Sequence, residues 1–108
     1  MSSIDSTFAA LSDPIRRSIL ARLGEGPARC NELVALFDVS QQAVSRHIGV
    51  LREAGLLEQR RRGRERICLL RHGPIAEATD WLAAQGEVWS RRFDRLEGLL
   101  HEDKGEAR

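Results

Sequence analysis

Several features that would place a chain in other functional classes are missing from this sequence. It has no uninterrupted apolar run of about 18 residues, the length that a membrane-spanning helix needs. Its first residues, MSSIDSTFAAL, contain neither a basic segment nor a long apolar one, so we expect no secretory signal and a cytoplasmic protein. We recognise no glycine-rich phosphate loop, metal-ligand cluster, Ser-His-Asp pattern or Cys-His pattern. We therefore expect neither an enzyme nor a bound cofactor.

Cysteine is scarce as well. The chain has two cysteines, Cys30 and Cys68, and they form no CxxC pair. Because a cytosolic domain of this size needs no disulfide, the pattern favours two separate, half-buried cysteines. A redox switch made of Cys30 and Cys68 would require the two thiols to be neighbours, and it stays open as an alternative.

The small net charge of +1 conceals an uneven distribution of charge along the chain. Residues 40–73 contain eight arginines and three glutamates, whereas the other residues include nine basic and thirteen acidic ones. A basic segment within an otherwise acidic chain is the electrostatic pattern expected of a surface that meets nucleic acid. With 42% apolar residues, the 108 residues suffice for one domain with a core.

The most informative stretch, 40–57, predicts a helix that lies in the major groove of DNA. Ser40 is a suitable N-cap, and Gly55 supplies the left-handed conformation that ends a helix. One apolar stripe is predicted to face the core, formed by Val44, Ile48 and Leu51. The side chains predicted to contact bases or phosphates lie at or near the start of this helix (about 41–54) and are Ser40, Gln41, Gln42, Ser45 and Arg46.

A basic β-hairpin is predicted directly after this helix. Residues 57–62 and 65–70 read as two strands around a tight turn at Gly63. On the second strand, Ile67 and Leu69 are expected to face the core. The arginine-rich segment 60–66 is predicted to meet the DNA backbone or the minor groove through Arg61, Arg62 and Arg64.

Three shorter helices are predicted ahead of the recognition helix. Asp13-Pro14 is a strong start signal for the second of them, which Gly24 ends. The third helix spans about 30–37 and begins without a good N-cap. Together with the recognition helix, it completes a helix-turn-helix.

A long final helix, about 74–101, carries an apolar seam with alternating spacings of four and three residues, as in a coiled coil. The simplest partner is a second copy of the chain, with the first helix beside it; an intramolecular cap over the core is the alternative. The predicted dimer contacts are Ile4, Phe8, Leu11, Leu82, Gly86, Trp89, Phe93 and Leu96. We predict one domain over 1–101 and a disordered tail over 102–108.

Three segments together resemble the ArsR/SmtB family of bacterial winged-helix repressors. They are ALSDPIRRSILARL (10–23), NELVALFDVSQQAVSRHIGVLREAGLLEQRRRGRERICLL (31–70) and the terminal helix with Trp81 and Trp89. The resemblance covers residues 4–100. It implies a mainly α-helical winged helix-turn-helix, a homodimer joined through the first and last helices, and repression of a nearby operon.

The sequence departs from that family at its usual metal sites. Members that sense arsenic or cadmium carry a CxC pair at the start of the third helix, where this chain has Arg29 and Asn31 around Cys30. One cysteine cannot supply the thiolate pair that holds a soft metal. For zinc, Asp80 and residues 101–102 offer too few ligands for a tetrahedral site within one chain. We therefore predict no metal site, although ligands shared between subunits stay open as an alternative.

Three further questions are left open by the sequence. The first is whether an unidentified small-molecule inducer exists, and the second is whether the protein represses or activates. The third is whether the winged helix binds a protein instead of DNA. Such domains usually lose the basic wing and the polar start of the recognition helix, and this chain keeps both.

Overall fold

We describe a computed structural model of the chain, which defines the backbone of residues 3–106 and the side chains of residues 4–101. Helices dominate this part of the chain, and a small antiparallel sheet accompanies them, as the sequence predicts for a winged helix-turn-helix. The elements in chain order are α1 (Ser3–Ala10), α2 (Pro14–Leu23), β1 (Ala28–Arg29), α3 (Cys30–Ala35), α4 (Gln41–Glu53), β2 (Leu57–Arg62), β3 (Glu65–Leu70) and α5 (His72–Glu106).

Hydrogen bonds between residues close in sequence fix where α2 and α4 begin. The Asp13 carboxylate accepts hydrogen bonds from the backbone N–H groups of Ile15, at 2.8 Å, and Arg16, at 3.1 Å, and so caps α2. The Ser40 hydroxyl accepts from the Ala43 N–H at 3.1 Å and caps α4 in the same way. Each cap satisfies N–H groups that have no partner inside the helix. The predicted N-cap Ser40 and the predicted helix start at Asp13-Pro14 are therefore confirmed.

Glycine is required just beyond α4. Gly55 has φ +77°, a left-handed conformation that costs other residues about 1–2 kcal/mol. A Cβ added to Gly55 would lie 3.7 Å from the ring of Pro74, in the first turn of α5. The chain can therefore turn sharply from α4 into β2.

The three strands form one antiparallel sheet with β3 in the middle, in the order β1-β3-β2. In the β2–β3 hairpin, Leu57 is opposite Leu70 and Arg62 is opposite Glu65. The tight turn between them contains Gly63 at φ +64°, as predicted. The two-residue strand β1 was not predicted, because it is too short to show an alternating pattern.

The structure corrects the predicted inward face of β3. Cys68 is fully buried and Leu70 packs against the core, whereas Ile67 and Leu69 are half-buried. The hairpin register is the cause, because it places buried Leu57 opposite Leu70, and residues two apart along a strand share a face. The prediction that Ile67 and Leu69 face the core is therefore off by one residue.

The chain divides into two compact units, of which the first ends at Ala78 and the second begins at Thr79. The core of the first unit gathers side chains from α1, α2, α3, α4 and the sheet. At the start of α5, Ile75 packs against this core and Ala78 is buried.

The second unit consists of the rest of α5. This helix has 35 residues and runs to Glu106, past its predicted end near 101 and into the segment predicted as a tail. Residues 107–108 of that segment lie outside the described residues. Large apolar side chains on the helix are exposed, among them Phe93 (69% exposed) and Leu96 (52%). Among the described residues, no helix is both long and apolar enough to cross a membrane.

Candidate nucleic-acid interface

Helix α4 has a buried face and a polar face. Val44, Ile48 and Leu51 are buried in the core, which fixes the rotation of the helix about its axis. The predicted base-contacting residues at its start are all exposed: Gln41, Gln42, Ser45 and Arg46. Their amide, hydroxyl and guanidinium groups match the donors and acceptors on base edges in the major groove. The predicted division of α4 into a core face and a polar face is confirmed.

Ser40 has a narrower role than its neighbours. Its side-chain oxygen already accepts the hydrogen bond that caps α4. Its hydroxyl proton remains available, and the residue is exposed at the helix N-terminus, where backbone N–H groups favour anions. The geometry suits a phosphate contact better than a base contact.

The hairpin presents exposed arginines whose charge is not paired. Arg61, Arg62 and Arg64 are exposed, and within the part of the chain that the structure describes they form no ion pair. Arg60 differs, because its Nε lies 2.8 Å from the Glu58 carboxylate. That pairing lowers the pKa of Glu58 and raises the pKa of Arg60. The charge of each of the three predicted wing arginines is therefore left for a polyanion, and so is the charge of Arg66 on β3.

A groove of about 350 Å³ lies between α4 and the hairpin. Gln41 and Ser45 line it from α4, and Arg64 lines it from the hairpin, so the structure brings these three predicted residues together. Gln42, Arg46 and the other two wing arginines are not among its lining residues. The groove is also lined by arginines that were not predicted to contact DNA, namely Arg29, Arg52 and Arg66.

Arg29 connects the helix-turn-helix to the hairpin, a role that sequence reasoning missed. Its guanidinium lies 2.8 Å from Glu32 and 3.1 Å from Glu65. Glu32 also accepts a hydrogen bond from the Arg29 backbone N–H at 3.3 Å. Glu32, the third residue of α3, therefore satisfies a backbone N–H group at the start of that helix. The side-chain hydrogen bond from Arg29 holds the pKa of Glu32 below its usual value. The sequence signal for this role was the glutamate three residues after Arg29, the position from which a side chain bonds back to the N-cap backbone.

The two cysteines are neighbours rather than separate residues, contrary to the sequence-based interpretation. Cys30 Sγ lies 3.3 Å from Cys68 Sγ, and both thiols are free. Gln59, opposite Cys68 in the hairpin register, places its side-chain Nε2 3.3 Å from Cys30 Sγ. The sequence could not reveal this pair, because its contact depends on the unpredicted strand β1.

The residues predicted for a dimer differ in exposure. Ile4, Leu11 and Gly86 are half-buried, and Phe8 is at the margin of exposure at 36%. The others are exposed: Leu82, Trp89, Phe93 and Leu96. Trp89 packs edge-to-face on Trp81, with ring centroids 6.4 Å apart. Among the described side chains, no three His, Cys, Asp or Glu residues are arranged to hold a metal ion.

Comparisons with known proteins agree with this geometry. The sequence profile of a helix-turn-helix domain matches residues 11–60. The chain is 27% identical over 79 residues to the transcriptional repressor SdpR of Bacillus subtilis (strain 168), covering 73% of this chain and 88% of SdpR. It is 42% identical over 65 residues to the HTH-type transcriptional regulator Rv2034 of Mycobacterium tuberculosis (strain ATCC 25618 / H37Rv), covering 60% of this chain and 61% of that protein.

A solved structure adds a match in fold over most of the chain. The ArsR family transcriptional regulator RHA00566 superposes with a TM-score of 0.77 at 36% identity, over 82% of this chain and 98% of that one. This chain belongs to the ArsR family. It is thus a transcriptional regulator with a DNA-binding helix-turn-helix domain, in a family of regulators rather than enzymes. The predicted family resemblance is confirmed.

Proposed function

We propose that this protein is a homodimeric repressor that reads a specific DNA sequence with α4 and holds the duplex with its arginine-rich hairpin. The observation that carries the proposal is the polar face of α4, whose exposed start is held in place by three buried residues on the opposite side. The name of SdpR, a transcriptional repressor, supports repression over activation.

Sequence reading is assigned to Gln41, Gln42, Ser45 and Arg46. A glutamine amide matches the N6 and N7 atoms of adenine, and an arginine guanidinium matches O6 and N7 of guanine. Arg46 is exposed and makes no ion pair among the described residues, so no internal bond must break before it meets a base. We expect Arg46 to contribute most to discrimination between sequences.

Affinity independent of sequence is assigned to the hairpin. Arg61, Arg62 and Arg64 are free charges at or beside its turn, and each is long enough to reach phosphates or a narrow minor groove. Ser40, at the N-terminus of α4, supplies a further phosphate contact. These groups would position the duplex without reading it.

Dimerisation is assigned to the seam of α5 together with α1. The seam is a repeat of apolar residues at coiled-coil spacing, and its exposed members include Trp89, Phe93 and Leu96. An exposed apolar strip of this length on a helix is typical of a surface that packs against another helix. A second copy offers an identical strip, and a two-fold dimer would present two recognition helices to two half-sites.

A selection from random duplexes tests the proposal without knowledge of the operator. Purified full-length protein is used to enrich duplexes over several rounds, and fluorescence anisotropy then compares the enriched site with a random duplex of equal length. We expect enrichment of an inverted repeat and much tighter binding to it. Equal affinity for enriched and random duplexes would contradict sequence reading, and no binding to either would contradict DNA binding by this surface.

A further inference from the structure

The two thiols are brought together by the backbone. Strand β1 pairs with β3 so that Ala28 is opposite Cys68 and Arg29 is opposite Ile67. Cys30 is the next residue, and its Sγ lies 3.3 Å from Cys68 Sγ. Because the sulfur atoms of a disulfide are about 2.05 Å apart, bond formation requires an approach of only roughly 1 Å.

One of the two thiols can be reached from the groove between α4 and the hairpin. Cys30 is half-buried and lines this groove beside Gln41 and Ser45, whereas Cys68 is fully buried. Burial, together with the hydrogen bond to Cys30, raises the pKa of the Cys68 thiol to about 12. Cys68 therefore keeps its proton near neutral pH, and Cys30 is the thiol that meets a reagent entering the groove.

The pair is connected to the recognition helix through one side chain. Gln59 donates from Nε2 to Cys30 Sγ at 3.3 Å, and the same nitrogen lies 4.0 Å from Cys68 Sγ. The Gln59 Oε1 accepts a hydrogen bond from the guanidinium of Arg52, in the last turn of α4. Gln59 is therefore hydrogen-bonded both to Cys30 and to α4. A shift of the Cys30 sulfur would break the first of these two bonds.

We propose that Cys30 and Cys68 form a peroxide-reactive thiol pair, and that its closure to a disulfide weakens DNA binding through Gln59 and Arg52. The oxidant is a hydroperoxide, for which hydrogen peroxide is the probe. The inference rests on the proposed function for its DNA-binding consequence, whereas disulfide formation can be measured without DNA.

The reaction takes two steps. With hydrogen peroxide, the Cys30 sulfur attacks one peroxide oxygen, so that an S–O bond forms, the O–O bond breaks and the departing hydroxyl takes the thiol proton and leaves as water. The Cys68 sulfur then attacks the sulfenic sulfur, so that the S–S bond forms, the S–O bond breaks and the departing hydroxyl takes the Cys68 proton as water. Two electrons pass from the thiols to the peroxide.

The DNA-binding consequence follows from where the bond would form. It would pull the first residue of α3 towards β3, at the base of a groove whose two walls are α4 and the hairpin. In the reduced state, Gln41, Ser45 and Arg64 face this groove together. We expect oxidation to change the spacing of its two walls and to lower the affinity for the enriched duplex about tenfold, a typical coupling between two sites.

The test uses the full-length protein, reduced or treated with hydrogen peroxide. Free thiols are counted, the intact mass is measured, and the crosslinked peptides are mapped. Met1 is the only methionine, so few other side chains compete for the oxidant. We expect both thiols to disappear with the loss of two hydrogen atoms, a Cys30–Cys68 crosslink within one chain, and recovery of both thiols with a reductant.

Three variants separate the steps. Cys30→Ser and Cys68→Ala should form no intramolecular disulfide, and their DNA affinity should not respond to peroxide in a reductant-reversible way. Gln59→Ala should still form the disulfide, but the ratio of reduced to oxidised affinity should fall towards one. Circular dichroism of each variant shows whether it is folded before the comparison is made.

The outcomes are distinguishable. Overoxidation of Cys30, or a crosslink between chains with no Cys30–Cys68 bond, would overturn the thiol pair. A disulfide that leaves DNA affinity unchanged would overturn the coupling. If neither redox state binds any duplex, the proposed function and the coupling fail together, while the crosslink still decides whether the thiol pair reacts as proposed.

Discussion

His47, in the middle of α4, lies beside Asp13, the N-cap of α2. Their Nδ1 and Oδ2 atoms are 3.8 Å apart. Arg16 lies between the same elements, with Nη1 3.2 Å from His47 Nδ1 and Nε donating to the Ala10 carbonyl at 2.6 Å. One polar junction thus connects the end of α1, the start of α2 and the middle of α4.

Protonation of Asp13 should loosen this junction. Burial raises the pKa of Asp13, but hydrogen bonds from the Arg16 and Ile15 N–H groups and the charge of His47 outweigh it, so the pKa lies below the ordinary 3.8. A carboxyl with a lowered pKa stabilises the fold above its unfolded-state pKa, and this stabilisation is lost as the pH falls through the folded-state value. Asp13→Asn should therefore be less stable than wild type near neutral pH, with a difference that shrinks in acid.

Urea unfolding at a series of pH values measures that difference. Asp94→Asn, an exposed carboxylate on α5, is the matched control and should show no comparable change. A constant gap between Asp13→Asn and wild type across the acid range would show that the charge of Asp13 does not stabilise the junction.

Arg46→Ala should weaken binding to the enriched duplex by about 1–3 kcal/mol and change binding to random duplex little, because a base contact is lost. Anisotropy titrations on both duplexes give the two values. The control is Arg91→Ala, which removes the same charge from α5 at a position away from the apolar seam. Equal losses on both duplexes would assign Arg46 to the backbone.

Replacing Arg62 and Arg64 together with glutamine should reduce the salt dependence of binding. Each lost phosphate contact lowers the slope of log affinity against log salt by about one unit. Arg60→Gln is the internal control, because Arg60 already pairs with Glu58 and should change the slope less. A slope that stays the same in the double variant would mean that the hairpin does not touch DNA.

Phe93→Glu should convert the proposed dimer to monomers, because a buried, unpaired carboxylate in an apolar seam is costly. Phe93 is 69% exposed in the single chain, so the change should leave the first unit folded. Sedimentation equilibrium gives the mass and circular dichroism gives the helix content. Arg91→Glu, which adds an acid away from the seam, should remain dimeric; a dimeric Phe93→Glu would place the interface elsewhere.

The sequence predicted those elements whose signals are local. Asp13, Ser40 and Gly55 act on groups within a few residues, so their effects are readable without the rest of the fold. The hairpin was predicted with its full bounds, because the tight turn at Gly63 and the two strands around it are adjacent in sequence.

Features that depend on distant pairing were missed. The contact between Cys30 and Cys68 requires β1 to pair with β3, and two residues carry no strand pattern of their own. The inward face of β3 was misassigned because Ile67 and Leu69 are more apolar than Cys68, while the register set by Leu57 and Leu70 decides which face is covered. The positions of Arg29, Arg52 and Arg66 in the groove were missed because the residues that surround them come from three separate elements of the chain.

Because β3 is the central strand of the sheet, we expect that a fragment must include it in order to fold. The helix-turn-helix profile ends at residue 60, inside β2 and before β3 begins. A polypeptide cut there would lose the strand that pairs with β1 and, through Cys68, closes the core beside α3. We therefore expect residues 11–60 alone to be unfolded, and expression boundaries for an autonomous DNA-binding fragment should extend at least through Leu70 and the first turns of α5.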